Sequence, residues 1–483
     1  MSPIIGFAPD ADPTTVGVLT ACASFIPFES GFKAAASPVA VAVAALAAPC
    51  RGSVVATRLG GTRRIFAGTQ QRLYELAGSG WLDRSKAGAY TGSTESRWSF
   101  CQFGDTSMAS NLVDPMQQST AGAFADVPTA PKAKIIVSAS NNFVLAFNTN
   151  DATYGVSPDR WWNCAQSDQT NWTPVQGGPT TGRLVAVEGP IQAGLPLGDY
   201  VVAYKSRGVF LGSFVGGDAQ WQWTLITGAD VGAVGQEAVC DIGGAHFFVS
   251  EGDFWLFDGT RPVSIGEGVV RRYFSDNSNP VYRFMTQCTY DKLNGLVRVN
   301  FPSKTSNGVL DRTLVYHVKR QRWGVDDHVV QAPLNYIVPG VTINGLDTIA
   351  ATIDTLPNVP VDSQFWMGGG QVPAYFNSSN QLVSLSGIAG ASSFTSNDFG
   401  DDDAVTMIDR FRTRFSKSPA TAQATGFIKM NEGDPLVQGS SSGIFDGKFD
   451  LRQSGRFHRV RVDMTGDVQA TAFDARAIPV GER

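Results

Sequence analysis

The chain has 483 residues, of which 43% are hydrophobic and only 17% charged, with 38 basic against 43 acidic side chains for a formal net charge of −5. That much apolar sequence excludes disorder as the main state, and the acidic balance excludes a general DNA binder driven by counterion release. Aspartates outnumber glutamates 34 to 9 and arginines outnumber lysines 27 to 11, so the charged helix formers are scarce, while 52 Gly, 25 Pro and 30 Phe supply turns and strands; the composition is that of an all-β protein.

Residues 1–50 are rich in Pro, Ala and Gly and read as an extended N-terminal arm, punctuated at Pro9–Pro13, which wraps its own body or reaches a neighbour. The start lacks the basic and apolar regions of a signal peptide. The Ala-rich stretch Ala34–Ala48 contains Pro38 and is too short to span a bilayer, so it reads as a buried strand or short helix. These features predict a chain made in a reducing cytoplasm, and the six well-separated cysteines, with no CxxC among them, predict free buried thiols.

From residue 51 onward the pattern is strand–turn–strand. Arg64–Ala67 leads through a turn near residue 70 to Leu73–Leu76, and Lys134–Val137 turns at 138–142 into Phe143–Phe147. Tyr200–Tyr204 turns into Val209–Gly212, and His246–Val249 turns at 251–253 into Phe254–Phe257. Tyr290–Phe301 carries an Asn294-Gly295 turn, the strongest short hairpin signal, and Leu314–Trp323 and Ala374–Leu385 follow. Turn spacing is too uneven for a WD40 or kelch repeat. Irregular four-stranded blades around an axis account for the pattern, with a large two-sheet sandwich as the competing architecture. The expected organisation is therefore all-β: an irregular β-propeller body over 51–395 and a C-terminal β-sandwich over 396–483, joined near the Ser-, Thr-, Gly- and Asp-rich segment 392–403. In the last region Met407–Phe415 and Phe457–Met464 alternate with period two, as half-buried antiparallel strands do.

The motifs that suggest chemistry mostly dissolve on inspection. His246, His317, His328 and His458 lie at no metal-ligand spacing. Gly439–Gly443 fits G-x-S-x-G but sits in a polar context that predicts a flexible turn, not a nucleophile elbow. Asp398-Phe399-Gly400 lacks every companion motif of a kinase. Ser167–Trp172 reads as a local turn over a packed Trp172. The sequence offers no catalytic residue, metal site or cofactor motif. Two features suggest an interface instead. Arg410, Arg412 and Arg414 share one face of a strand, with Arg452, Arg456, Arg459 and Arg461 further on, and arginine pairs bidentately with carboxylates. The acidic run Asp401, Asp402 and Asp403 is a solvated segment at the domain boundary and a candidate interface loop.

The linear order of fragments points further. The N-terminal arm is followed by the Arg64–Leu76 hairpin, Trp98–Asp105 with Ala109-Ser110-Asn111, Ala130–Lys134, and Arg160-Trp161-Trp162 with Asp168 and Asn171-Trp172. Then come Val234–Glu237, Phe247–Val249, Trp255–Gly259, Leu314–His317 with Gln321-Arg322-Trp323, and the C-terminal strands with their arginines. This order, over residues 50–475, resembles the tail hub or nozzle proteins of short-tailed double-stranded DNA bacteriophages. The resemblance implies a homohexameric ring in the virion tail, below the portal and head–tail adaptor, with tail fibres or tailspikes on its sides. DNA passes through the ring channel without sequence-specific binding, no part of the chain enters a membrane, and the residues of the channel gate are not identified. The alternatives are a glycan-binding or receptor-binding tail protein, expected as a trimer, a glycan-cleaving propeller enzyme, and a cellular propeller scaffold.

Overall fold

The computed structural model describes residues 2–227, 230–339, 350, 352–356 and 368–480. Nearly all regular structure in these residues is antiparallel strand. Among them, six four-stranded sheets and one end of a ten-stranded sheet form the blades of a β-propeller. Blades 1 to 6 take residues 53–83, 99–126, 132–183, 191–225, 239–264 and 287–325 in chain order, and blade 7 takes 332–339 and 368–387. The first strand of each blade is innermost: Ser53–Thr57, Ser99–Phe103, Lys132–Ala139, Ile191–Leu197, Val239–Asp241, Gln287–Asp291 and Ala332–Pro339. Each packs beside the next, and the last packs beside the first, so the ring closes on seven blades.

Apolar clusters fill the seams. Phe66 of blade 1 meets Trp98, just before blade 2, and Phe124 of blade 2, and Met108 and Met116 of blade 2 meet Ile136 and Trp162 of blade 3. Phe143 and Phe147 pack against Trp221 and Trp223, Tyr204 against Phe248, and Phe247 and Phe254 against Tyr316 and Trp323. Leu310 meets Tyr375 at the sixth seam, and Ile65 and Ala67 meet Leu334 and Phe376 at the closing one. Two glycines show how tightly local sequence is held. A Cβ on Gly68 would lie 2.2 Å from Cδ1 of Trp98, whose indole N–H donates to the Thr69 carbonyl at 2.7 Å. Gly295 takes the left-handed conformation (φ 65°) that the Asn-Gly hairpin turn requires.

The strands anticipated from residue 64 onward are present in their expected order, and the body is a propeller, not a second sandwich. Two local expectations are corrected. Gly439–Gly443 is not a turn: it belongs to the strand Val437–Gly443, paired antiparallel with Thr421–Lys429 across a register shift between Thr425 and Phe427. Ala34–Ala48 is neither a buried strand nor a helix. Ser37–Ala40 is a largely exposed strand, because it is the outer edge of blade 7, and irregular chain follows it.

The N-terminal residues wrap their own body. Ala40 pairs with Val383, so the start of the chain supplies the fourth strand of the last blade and latches the ring. Upstream, Phe25–Phe28 and Gly31–Ala34 join a sandwich with Thr406–Lys417, Phe449–Gly455 and Gln469–Pro479. The facing sheet contains Ala21–Ala23, Ala391–Thr395, Thr421–Lys429, Val437–Gly443 and Phe457–Thr465. The sandwich is thus built from both ends of the chain, around Phe25, Phe32, Phe394, Phe411, Phe449 and Phe473. Its first sheet continues blade 6 through the register pair Val325–Phe25, which makes one ten-stranded sheet of the two. Phe7 adds a second tie, packing edge-on against Tyr273 at 5.1 Å, and the Asp10 carboxylate accepts the Tyr273 N–H at 2.9 Å.

Candidate functional site

Two places in this fold concentrate chemistry, and the sequence points to only one of them. The first is the outer face of the sandwich sheet. Along Thr406–Lys417, Ile408, Phe411 and Thr413 turn into the core, while Arg412 and Arg414 are exposed and Arg410 is half-buried. The three arginines therefore share one face, as their alternation implies. Arg410 lies directly across the ladder from Arg476 on one side and from Asp450 on the other, and Arg412 lies opposite Asp474. Arg452 is exposed on the neighbouring strand. Like charges directly opposite one another destabilise an antiparallel pair, so this face carries a positive excess only partly offset by its own aspartates.

Asp401, Asp402 and Asp403 are exposed in the loop that leads into this strand. The Asp401 carboxylate accepts the backbone N–H groups of Asp403 and Ala404, each at 3.0 Å. Among the described residues no ion pair joins these aspartates to Arg410, Arg412 or Arg414. The remaining sequence-picked arginines go elsewhere. Arg459 forms a two-point pair with Asp398, at 2.6 and 3.0 Å, and Lys429 Nζ approaches the same carboxylate at 2.9 Å. Asp398 is 3% exposed, so it is a structural anchor of the sandwich. Arg461 pairs with Asp463 two residues on at 2.7 Å.

The second place is the propeller axis. A bore of about 650 Å³ runs between the innermost strands of all seven blades. At the end where those strands begin, Arg97 before blade 2 and Glu237 before blade 5 meet across the axis, with Nε and Oε2 2.5 Å apart. Arg97 also donates from Nη2 to the Gln331 carbonyl of blade 7 at 3.2 Å, and the Glu237 carbonyl accepts the Cys288 N–H of blade 6 at 2.7 Å. One ion pair thus ties together four blades and narrows the end of the bore. Glu237 lines both the bore and a cavity of about 330 Å³ above it, which also contains Lys134, Asn111 and Phe284. Burial pushes the Lys134 ammonium below its ordinary pKa, and its Nζ donates to Gln192 Oε1 at 3.1 Å. A further cavity of about 300 Å³ shares Arg97 and Met285 with the first. Arg97 and Glu237 carry no sequence signal, because the loops that bring them together are 140 residues apart in the chain.

Other buried polar groups hold the scaffold. His246 sits between the Tyr204 hydroxyl and the Pro196 carbonyl, 2.9 Å from each, at the seam of blades 4 and 5. Burial lowers its pKa, as it does those of His317 and His458. Asp326 is 1% exposed; burial pushes its pKa up, but Arg298 and His328 win and hold it below the ordinary carboxylate value. Asp168 accepts the Thr170 N–H at 2.9 Å in the turn above the fully buried Trp172. All six cysteines are free thiols, and burial raises the pKa of each. Among the described residues no group of three or more His, Cys, Asp or Glu is placed to hold a metal ion, and no helix is long and apolar enough to cross a membrane.

No protein-family model and no curated protein matches the chain. Among solved structures it is similar to a streptogramin B lyase, at 9% identity and a TM-score of 0.39, over 70% of this chain and 95% of that one. It is also similar to BBS1N, solved in complex with ARL6DN, at 9% identity and a TM-score of 0.38, over 73% and 97% of the two chains. The extracellular domain of the putative hybrid two-component system BT3049 from B. thetaiotaomicron aligns at 10% identity and a TM-score of 0.35, over 84% of this chain and 47% of that one.

Proposed function

We propose that this chain is a structural component of a bacteriophage tail: a nozzle or hub subunit that assembles as a homohexameric ring below the portal and head–tail adaptor. In this reading the chain is made in the host cytoplasm and works in the virion. DNA passes through the channel of the ring, fibres or tailspikes attach to its sides, and opening is a rigid-body or loop-level change with no chemical step. The observation that carries the reading is the outer face of Thr406–Lys417, where Arg410 opposes Arg476 and Arg412 and Arg414 stand exposed. An acidic run, Asp401–Asp403, is exposed in the loop that leads into that strand. Complementary charges on one chain favour a heterologous head-to-tail contact, the kind that closes into a ring.

Imaging intact particles by cryo-electron microscopy tests this directly. Six copies around an axial channel, with the arginine face in a subunit or adaptor contact, are expected. Three copies at the periphery would overturn it in favour of a glycan-binding or receptor-binding tail protein. That second reading draws on the cleft at the end of the propeller bore, a concave site with convergent polar groups.

A further inference from the structure

From the cavity beside the cross-axis ion pair, we infer that the propeller holds a binding site for a small organic carboxylate with an apolar body. The inference is independent of ring assembly. The site is the cavity of about 300 Å³ between blades 1, 6 and 7. Its lining contains two arginines, Arg51 and Arg97, and no acidic residue. The two are held side by side, because the Arg51 carbonyl accepts the Trp98 N–H at 2.9 Å. Arg97 already has Glu237 as its partner, whereas Arg51 makes no ion pair among the described residues. A half-buried guanidinium beside a second one is unfavourable alone: burial, then the Arg97 charge, lowers the Arg51 pKa. An anion entering the cavity would relieve both effects, and a guanidinium presents a planar fork suited to a carboxylate.

Beyond the arginines the lining is mainly apolar, with Gln287, Gln331 and Ser378 as its polar side chains. Met285, Leu310, Val309 and Val330 form its apolar walls. A free inorganic anion would leave those walls uncovered, whereas a carboxylate on an apolar body fills them and places its charge on Arg51. The volume corresponds to roughly ten water molecules at ~30 Å³ each, enough for a ligand the size of benzoate.

The test is calorimetric titration of the full chain with benzoate and with benzamide, its neutral analogue. Benzoate is expected to bind, with benzamide at least tenfold weaker, and Arg51→Met is expected to weaken benzoate at least tenfold. Val309 is 53% exposed at the cavity, so Val309→Glu supplies a tethered carboxylate without disturbing the core. It is expected to abolish benzoate binding and to raise the melting temperature. The absence of benzoate binding to the unaltered chain would overturn the proposal, as would equal binding to the unaltered chain, Arg51→Met and Val309→Glu.

Discussion

The propeller and the sandwich use the same strands but assemble them differently. Each blade from 1 to 6 is contiguous in sequence, and its seams are sealed by side chains of neighbouring segments, such as Phe66 with Phe124 or Tyr204 with Phe248. The sandwich joins residues from both ends of the chain, so Phe25 stacks on Phe394 at 5.5 Å. Each region buries a charged network, Arg64–Glu75–Arg84 in the propeller and Lys429–Asp398–Arg459 in the sandwich, and the sandwich adds a strand whose arginines face solvent. Local assembly gives the body a framework set by neighbouring segments, and the region that depends on distant pairings is also the one with arginines of one strand face exposed to solvent.

The largest test of that contrast is removal of residues 2–40. The deletion takes out Phe25 and Phe32 of the sandwich core together with the latch strand of blade 7. Loss of cooperative folding is expected, measured by thermal unfolding followed by circular dichroism. A propeller transition that survived unchanged would mean the latch is dispensable.

Asp398→Asn is next. It leaves Lys429 and Arg459 as buried cations around a neutral amide. A loss of about 3–5 kcal/mol is expected from breaking such a cluster, confined to the sandwich transition in urea denaturation. In the propeller, Gly68→Val drives a side chain into Trp98, and overpacking of this kind costs about 1–3 kcal/mol. The same denaturation curves should then show the propeller transition moving while the sandwich stays.

Acid also separates the two regions. Burial depresses the folded pKa of His246, so its contribution is fully present above the unfolded value of about 6.5 and is lost as pH falls below it. His246→Gln should flatten the pH dependence of the propeller transition between pH 7 and 5. The sandwich dependence, set in part by His458, should remain. The smallest effect on stability belongs to the triple change Arg410→Ser, Arg412→Ser and Arg414→Ser. Exposed sites of this type usually shift stability by no more than about 0.5 kcal/mol each. Assembly, read by native mass spectrometry on purified chain and adaptor, is expected to fail. Unchanged assembly would remove the arginine face from the interface.

What the sequence made legible follows the same division. Hairpins such as Tyr200–Tyr204 with Val209–Gly212 are set by neighbouring residues and could be read directly. So could the shared face of Arg410, Arg412 and Arg414, which period-two alternation dictates. The role of residues 1–50 could not, because short strands such as Ala21–Ala23 gain their meaning from partners more than 300 residues away. Val437–Gly443 reads as a turn because its Ser and Gly content is that of an exposed edge strand, where pairing on one side is enough. The Arg97–Glu237 contact was invisible because ring closure, not spacing, creates it.

The latch strand gives the fold a timetable. Val39 is synthesised early, yet its partner Ser384 follows 345 residues later. At about 5–20 residues per second, that interval is roughly 17–70 s. Six blades leave the ribosome before the seventh is complete, and the ring is sealed only when the oldest segment of the chain docks onto one of the newest. During that wait the edge of blade 7 that Ser37–Ala40 will cover accepts any strand of matching sequence, including one from an adjacent nascent chain on the same message. Ring closure within one chain therefore competes with exchange between chains, and the balance is set by how densely ribosomes load the transcript.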